Sequence, residues 1–242
     1  MGVLVVNSLA NLLPINGLNT GEVSALYPSL FTPAGITFSI WSVIYLLLIG
    51  FVVMLWVRKK PPITQSVINL FWISCLLNGT WIVAWHYLFA GVSVLVMLLL
   101  LGTLGRIFLI NRNTDFDSIA DTLFIRLPFT LYFAWICVAL IANVAAFLIS
   151  MEWKGGLLSE GTWTVLMMGT ATILSLWMML RYHAEFFCAV VMWALFGIFV
   201  RWNGTTHQNI ANAAMAFIIV NGILILYSLR KQLLRYVGFT EG

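Results

Sequence analysis

Apolar residues run along this chain in long blocks, separated by short stretches of turn-forming and basic residues. The lengths of the blocks predict the fold. Residues 35–57 form the first, with no charged side chain before Arg58, and a helix needs about 20 apolar residues to cross a bilayer. The stretch from Pro61 to Gly105 contains no Asp, Glu, Lys or Arg, and at about 1.5 Å per residue it is roughly twice too long for one crossing. It therefore folds back around His86 to Ser93, giving spans near 66–87 and 91–110. Blocks at 127–151, 161–180, 185–200 and 209–230 bring the crossings to seven. All are expected to be helical, because the bilayer interior leaves no partner for an unpaired backbone group.

The first thirty residues read differently. "MGVLVVNSLANLL" is apolar but half the length of a span, and it lacks the basic start and small-residue cleavage site of a secretory signal. It is expected to be a half-span packed on the bundle or the remainder of a helix that begins further upstream. The segment that follows, up to residue 34, carries Asn-Gly and Thr-Pro steps and reads as a loop.

Composition agrees with residence in lipid. Of 242 residues, 62% are hydrophobic and 8% charged, where a soluble domain carries roughly 25% charged residues. The net charge of +4 is spread over the ends of apolar blocks, which excludes a nucleic-acid-binding patch and reads as a topology signal. Ten of the twelve basic residues fall at one end of the spans: Arg58, Lys59, Lys60, Arg106, Arg112, Arg126, Arg181, Arg230, Lys231 and Arg235. Only Lys154 and Arg201 fall at the other. The positive-inside rule makes the ten-residue end, with the C-terminus, cytoplasmic. Cys75, Cys137 and Cys188 lie inside apolar blocks and act as small hydrophobes. Asp115, Asp117 and Asp121 read as a solvated loop and helix start, and His86, His183 and His207 as interfacial residues near helix ends. No metal, redox or phosphate-loop motif is present, so no catalytic residue, metal or required cofactor is assigned.

Three blocks carry aromatic and amide residues at helical spacing. Trp41 and Tyr45 are four apart; Asn78, Trp81 and Trp85 share a face; Tyr132, Trp135, Ala139 and Asn143 repeat the same period. With this topology all three strips climb toward the outer side. Trp and Tyr also collect in interfacial belts, and Trp56, Trp153 and Trp202 are read that way. An Asn in hydrocarbon needs a partner, which turns the three strips inward. Flat indole walls with a few amide groups, closed by a loop, suit a planar apolar ligand.

These residues resemble the TspO/MBR family of translocator proteins, also called tryptophan-rich sensory proteins. The second-helix pattern of that family appears as Phe31, Pro33, Phe38, Trp41 and Tyr45. The third-helix pattern appears as Asn78 and Trp81, with His86 and Tyr87 where the family has two aromatics. The fifth is the closest, with Tyr132, Ala134, Trp135, Ala139 and Asn143 in register. The spacing of Phe38 and Trp41 is one residue short, the Trp usually before that Phe is absent, and the first helix is reduced to residues 1–13. "FLISMEWKGG" does not fit the cholesterol-recognition pattern of some members, although Leu224, Tyr227 and Arg230 match it elsewhere.

The resemblance implies an all-α integral membrane protein, with a five-helix bundle over residues 1–155 and three additional helices over 156–242. It implies a receptor, sensor or carrier for a flat hydrophobic ligand, a tetrapyrrole such as protoporphyrin or haem, or a sterol, at Trp41, Tyr45, Asn78, Trp81, Trp85, Tyr132, Trp135, Ala139 and Asn143. It also implies a bacterial cytoplasmic membrane, and light-dependent porphyrin breakdown is a further activity proposed for the family. A small secondary transporter and a structural subunit without ligand are the competing classes; the chain shows no internal repeat and no acidic residue deep in a span, which disfavours ion coupling. Ala211, Ala213, Ala214 and Ala216 permit close helix packing, within the bundle or in a homodimer. The orientation has a direct test: a cysteine at Asn19 is expected to react with an impermeant thiol reagent from outside and one at Lys60 only from the cytoplasm. Labelling of both from the same side would refute it.

Overall fold

A computed structural model describes residues 15–236 apart from Lys60, Asp117 and Lys154. The half-span read at residues 1–13 lies outside the described residues. A short helix α1 (Thr20–Ala25) is followed by α2 (Ile40–Val57), α3 (Gln65–His86), α4 (Ala90–Arg112), α5 (Leu127–Ser150), α6 (Glu160–Tyr182), α7 (Glu185–Trp202) and α8 (Gln208–Tyr236). Seven of these, α2 to α8, are long and apolar enough to cross a membrane, as the block lengths predict. The chain is a multi-pass integral membrane protein.

The helix ends follow local chemistry. Asn19 caps α1 by accepting from the amides of Gly21 and Glu22, while the Glu22 carboxylate accepts from the Asn19 amide, a reciprocal capping box. Ser159 caps α6 through the Thr162 amide. A 3₁₀ turn, Gly35–Ser39, leads into α2, and a π-helical turn, Thr122–Arg126, leads into α5. The ring of Phe124 in that turn lies against Gly50 of α2, where an added Cβ would come within 2.5 Å. Only glycine permits this approach.

Helix α3 packs on α4 and α4 on α5; α8 packs on α7 and α6, and α7 packs on α5. The last three helices are thus seated on the bundle chiefly through the α5–α7 contact. Helix α2 rests on α5 and on the π-helical turn. Asp121 departs from the sequence reading: it is 4% exposed and forms an ion pair with Arg58. The turn folds it under the end of α2, where the Arg58 guanidinium offsets the cost of burying a carboxylate.

Buried polar side chains join the C-terminal helices. Asn221 on α8 is fully buried; it accepts from Ser175 Oγ on α6 at 2.6 Å and donates to Phe217 O at 2.9 Å and Thr172 Oγ1 at 3.4 Å. Ala211 and Ala214 are also fully buried, so part of the alanine cluster serves packing within the chain. Interhelical hydrogen bonds of this kind contribute about 1 kcal/mol in membrane bundles. Asn221→Leu is expected to lower the unfolding temperature in detergent, whereas Asn212→Leu, on the exposed face of the same helix, should leave it unchanged.

Candidate functional site

The three aromatic strips meet at one end of the bundle. Trp41 is their hub. Its ring stacks on Tyr45 with centroids 5.3 Å apart and lies 6.1 Å from Trp81, 5.7 Å from Tyr132 and 6.2 Å from Trp135. Trp81 in turn stacks on Trp85 at 6.1 Å. Such offset and edge-to-face pairs contribute roughly 0.5–1.5 kcal/mol each beyond area burial. The Asn78 amide donates to the Tyr132 hydroxyl, which satisfies both groups in the apolar interior.

These residues divide between two levels. Trp41, Trp81, Trp85, Trp135, Ala139 and Asn143 line a common cavity, while Tyr45, Asn78 and Tyr132 pack beneath it as a polar floor. The cavity wall also holds Thr20, Ser24, Phe31, Pro33 and Phe38 from the preceding segment and Ala194 and Ile198 from α7. The α7 contribution, Ala194 and Ile198, has no signal in the sequence. Both are small or ordinary aliphatic residues in a uniformly apolar span, with no polar contrast to mark an inward face.

The segment from residue 15 to 39 forms a lid over this cavity. Its backbone carbonyls are held by indole N–H groups: Trp85 donates to Thr20 O at 3.3 Å, Trp202 to Leu30 O at 2.8 Å and Trp193 to Thr37 O at 2.9 Å. Leu30 N donates to the Glu160 carboxylate at 3.2 Å, Ala34 N donates to Gly197 O at 3.0 Å, and Asn16 donates to His86 O at 3.0 Å. Trp202 is therefore a lid anchor as well as an end-of-helix aromatic. Trp56, 89% exposed, keeps the belt position. His86 is fully buried rather than interfacial, and its Nδ1 is bonded to Ile82 O at 2.8 Å. It does not line the cavity.

Under the lid the cavity is narrow, with a free volume of about 40 Å³. It holds buried donors without partners: Trp81 Nε1, Trp135 Nε1 and Asn143 Nδ2, with Asn143 Oδ1 taken by Ser93 Oγ at 3.0 Å. Unpaired buried donors each cost about 1–3 kcal/mol, so their clustering in one cavity marks a place where an acceptor would be stabilised. On the outer side of Phe38 and Trp41 runs an open groove of about 970 Å³, bordered by Tyr45, Glu22 and Arg201. Phe38, Trp41 and Pro33 belong to both spaces. They form the partition between a narrow aromatic box and a groove large enough for a drug-sized or larger ligand.

A family model for TSPO-like proteins matches residues 1–227. The match covers the aromatic strips, runs through α6 and α7 and ends within α8. No curated protein and no solved structure gives a significant match.

The lid depends on a close approach at Gly197. An added Cβ there would overlap the Thr37 hydroxyl and come within 2.9 Å of both Thr37 Cβ and Pro33 Cβ. Gly197→Val is expected to lift the lid, seen as faster amide hydrogen exchange over residues 28–39. Gly102→Ala, where an added Cβ meets nothing within 4 Å, should leave exchange unchanged.

Proposed function

The chain belongs to the TSPO-like protein family, and on that premise we propose that it is a membrane receptor or carrier that binds a planar tetrapyrrole in the aromatic box. Family membership supports a ligand-binding or sensing role in the membrane; the choice of ligand rests on the site. The carrying observation is the Trp41-centred box with the unpaired N–H donors of Trp81, Trp135 and Asn143 in its wall. Indole faces stack on a flat conjugated ring, and the three donors suit acceptor atoms at its edge.

A box of about 40 Å³ cannot take such a ring without opening, since ligand pockets span roughly 300–1,000 Å³. The groove supplies the missing space. Movement of Phe38 and Trp41 joins the two volumes, and Arg201 on the groove rim is placed to meet an acidic substituent. Arg201 already lies over the Trp202 ring at 5.0 Å, beside the lid carbonyl of Leu30 that Trp202 holds. An anionic side arm here couples binding to the lid. A sterol, with one hydroxyl and no charge, uses fewer of these groups.

Tryptophan fluorescence gives the test, because a bound porphyrin quenches nearby indoles. Loss of a stacked aromatic costs about 1–3 kcal/mol by analogy with base stacking, or roughly a ten- to hundredfold loss in affinity. Trp135→Ala is expected to weaken protoporphyrin binding by that factor. Trp135→Phe, which keeps the ring and removes the N–H, should fall between it and the wild type. Trp177→Ala, on the exposed side of α6, should bind as the wild type does. Absence of saturable quenching in the wild type would overturn the proposal.

A further inference from the structure

The opposite end of the bundle holds a second cavity, of about 400 Å³, between α4, the π-helical turn, the α6–α7 connection and α8. Arg112, Arg126 and Lys231 line it against a single carboxylate, Glu185. One oxygen of that carboxylate, Oε1, accepts from two neutral donors, Ser228 Oγ and Gln232 Nε2, each at 2.6 Å. Among the described residues the one ion pair is Arg58–Asp121, so none of the three cations in the cavity has a described carboxylate within contact distance, although Asp115 lies near enough to Arg126 to interact with it electrostatically.

Basic residues at a membrane face are an ordinary topology signal when they stand in solvent. Arg126 does not. One guanidinium nitrogen donates to Thr114 O at 2.9 Å and the group lies 4.9 Å over the Phe116 ring, but its buried Nε has no partner. The cavity is also bounded by two departures from regular helix: the π-helical turn Thr122–Arg126 and His183, which ends α6 in the left-handed conformation with φ 50°. Inserted π-turns are costly and recur at functional sites. Phe108, Tyr182 and Phe186 supply an apolar wall beside the charges.

We propose that this cavity is a binding site for a phosphate-type oxyanion. Arg126 and Arg112 donate to its oxygens, Lys231 neutralises charge from α8, and the aromatic wall accommodates whatever the phosphate is esterified to. Guanidinium groups suit this role because their planar donors match phosphate oxygens. The phosphate has two sources, an anionic lipid headgroup at this depth of the bundle or a free anion from the aqueous side, and the site's chemistry is common to both.

The full chain, purified in a neutral detergent, is titrated with short-chain phosphatidic acid, with phosphatidylcholine of equal chain length and with inorganic phosphate, thermal unfolding serving as readout. Saturable stabilisation by phosphatidic acid alone identifies a headgroup site, and stabilisation by inorganic phosphate as well identifies a free-anion site; either supports the proposal. Arg126→Gln and Arg112→Gln are each expected to weaken the response by about tenfold or more, the usual effect of removing a charge-assisted hydrogen bond. Arg106→Gln, a basic residue at the same end that does not line the cavity, should leave it intact. Should Arg126→Gln fail to fold, Lys231→Gln at an exposed position carries the same expectation of weakened binding. No saturable response to either anion, equal stabilisation by phosphatidylcholine, or an equal loss in Arg106→Gln overturns the proposal.

Discussion

Irregular backbone at the end of a membrane bundle is stable only where its polar groups find partners. The lid of this protein meets that demand with indole nitrogens. Trp85 from α3, Trp193 and Trp202 from α7 each donate to a lid carbonyl, and Trp163 at the start of α6 does the same for Gly155 in the neighbouring loop. Tryptophan suits the task because it carries one donor on a large apolar body, so it reaches a carbonyl without bringing a second polar group into lipid. Part of the tryptophan content of the chain is thereby explained by loop architecture.

Against that use, Trp81 and Trp135 stand out. They carry the same donor, are buried as deeply as Trp85 and more deeply than Trp163, Trp193 and Trp202, and have no acceptor. Of the buried groups that the fold leaves unsatisfied at the aromatic end, which also include the Tyr45 and Thr37 hydroxyls and His86 Nε2, these two indoles and Asn143 are the ones on residues that line the cavity beneath the lid. The lid is fastened to both the early bundle and α7, so opening must break contacts to helices on either side. Helix α7 therefore does more than extend the bundle: it supplies Ala194 and Ile198 to the cavity and Gly197 to the lid seat.

The spans were legible from block length alone, because the membrane imposes one length scale on every crossing. The inward faces of α3 and α5 were legible from Asn78 and Asn143, whose amides need partners and therefore mark an interior face. Where a helix lacked such a marker, the sequence was silent. Ala194 and Ile198 sit in an uninterrupted apolar run, and the lid bonds of Trp193 and Trp202 join residues more than 150 positions apart. Asp121 reads as solvated in the sequence because its partner, Arg58, lies in a different connection. Local pattern cannot anticipate a pairing that only tertiary packing creates.

The proposed ligand, a planar macrocycle, enters the box bounded by Trp41, Trp81, Trp85 and Trp135. Porphyrins generate short-lived oxidants on illumination, and these modify the indoles closest to the ring. The decisive measurement is the position of oxidised tryptophan, mapped by mass spectrometry, after brief illumination of the chain with bound protoporphyrin. Oxidation confined to those four residues is the predicted result. Oxidation concentrated instead on the exposed Trp56, Trp72 and Trp177, as a porphyrin dissolved in the surrounding lipid would produce, contradicts it.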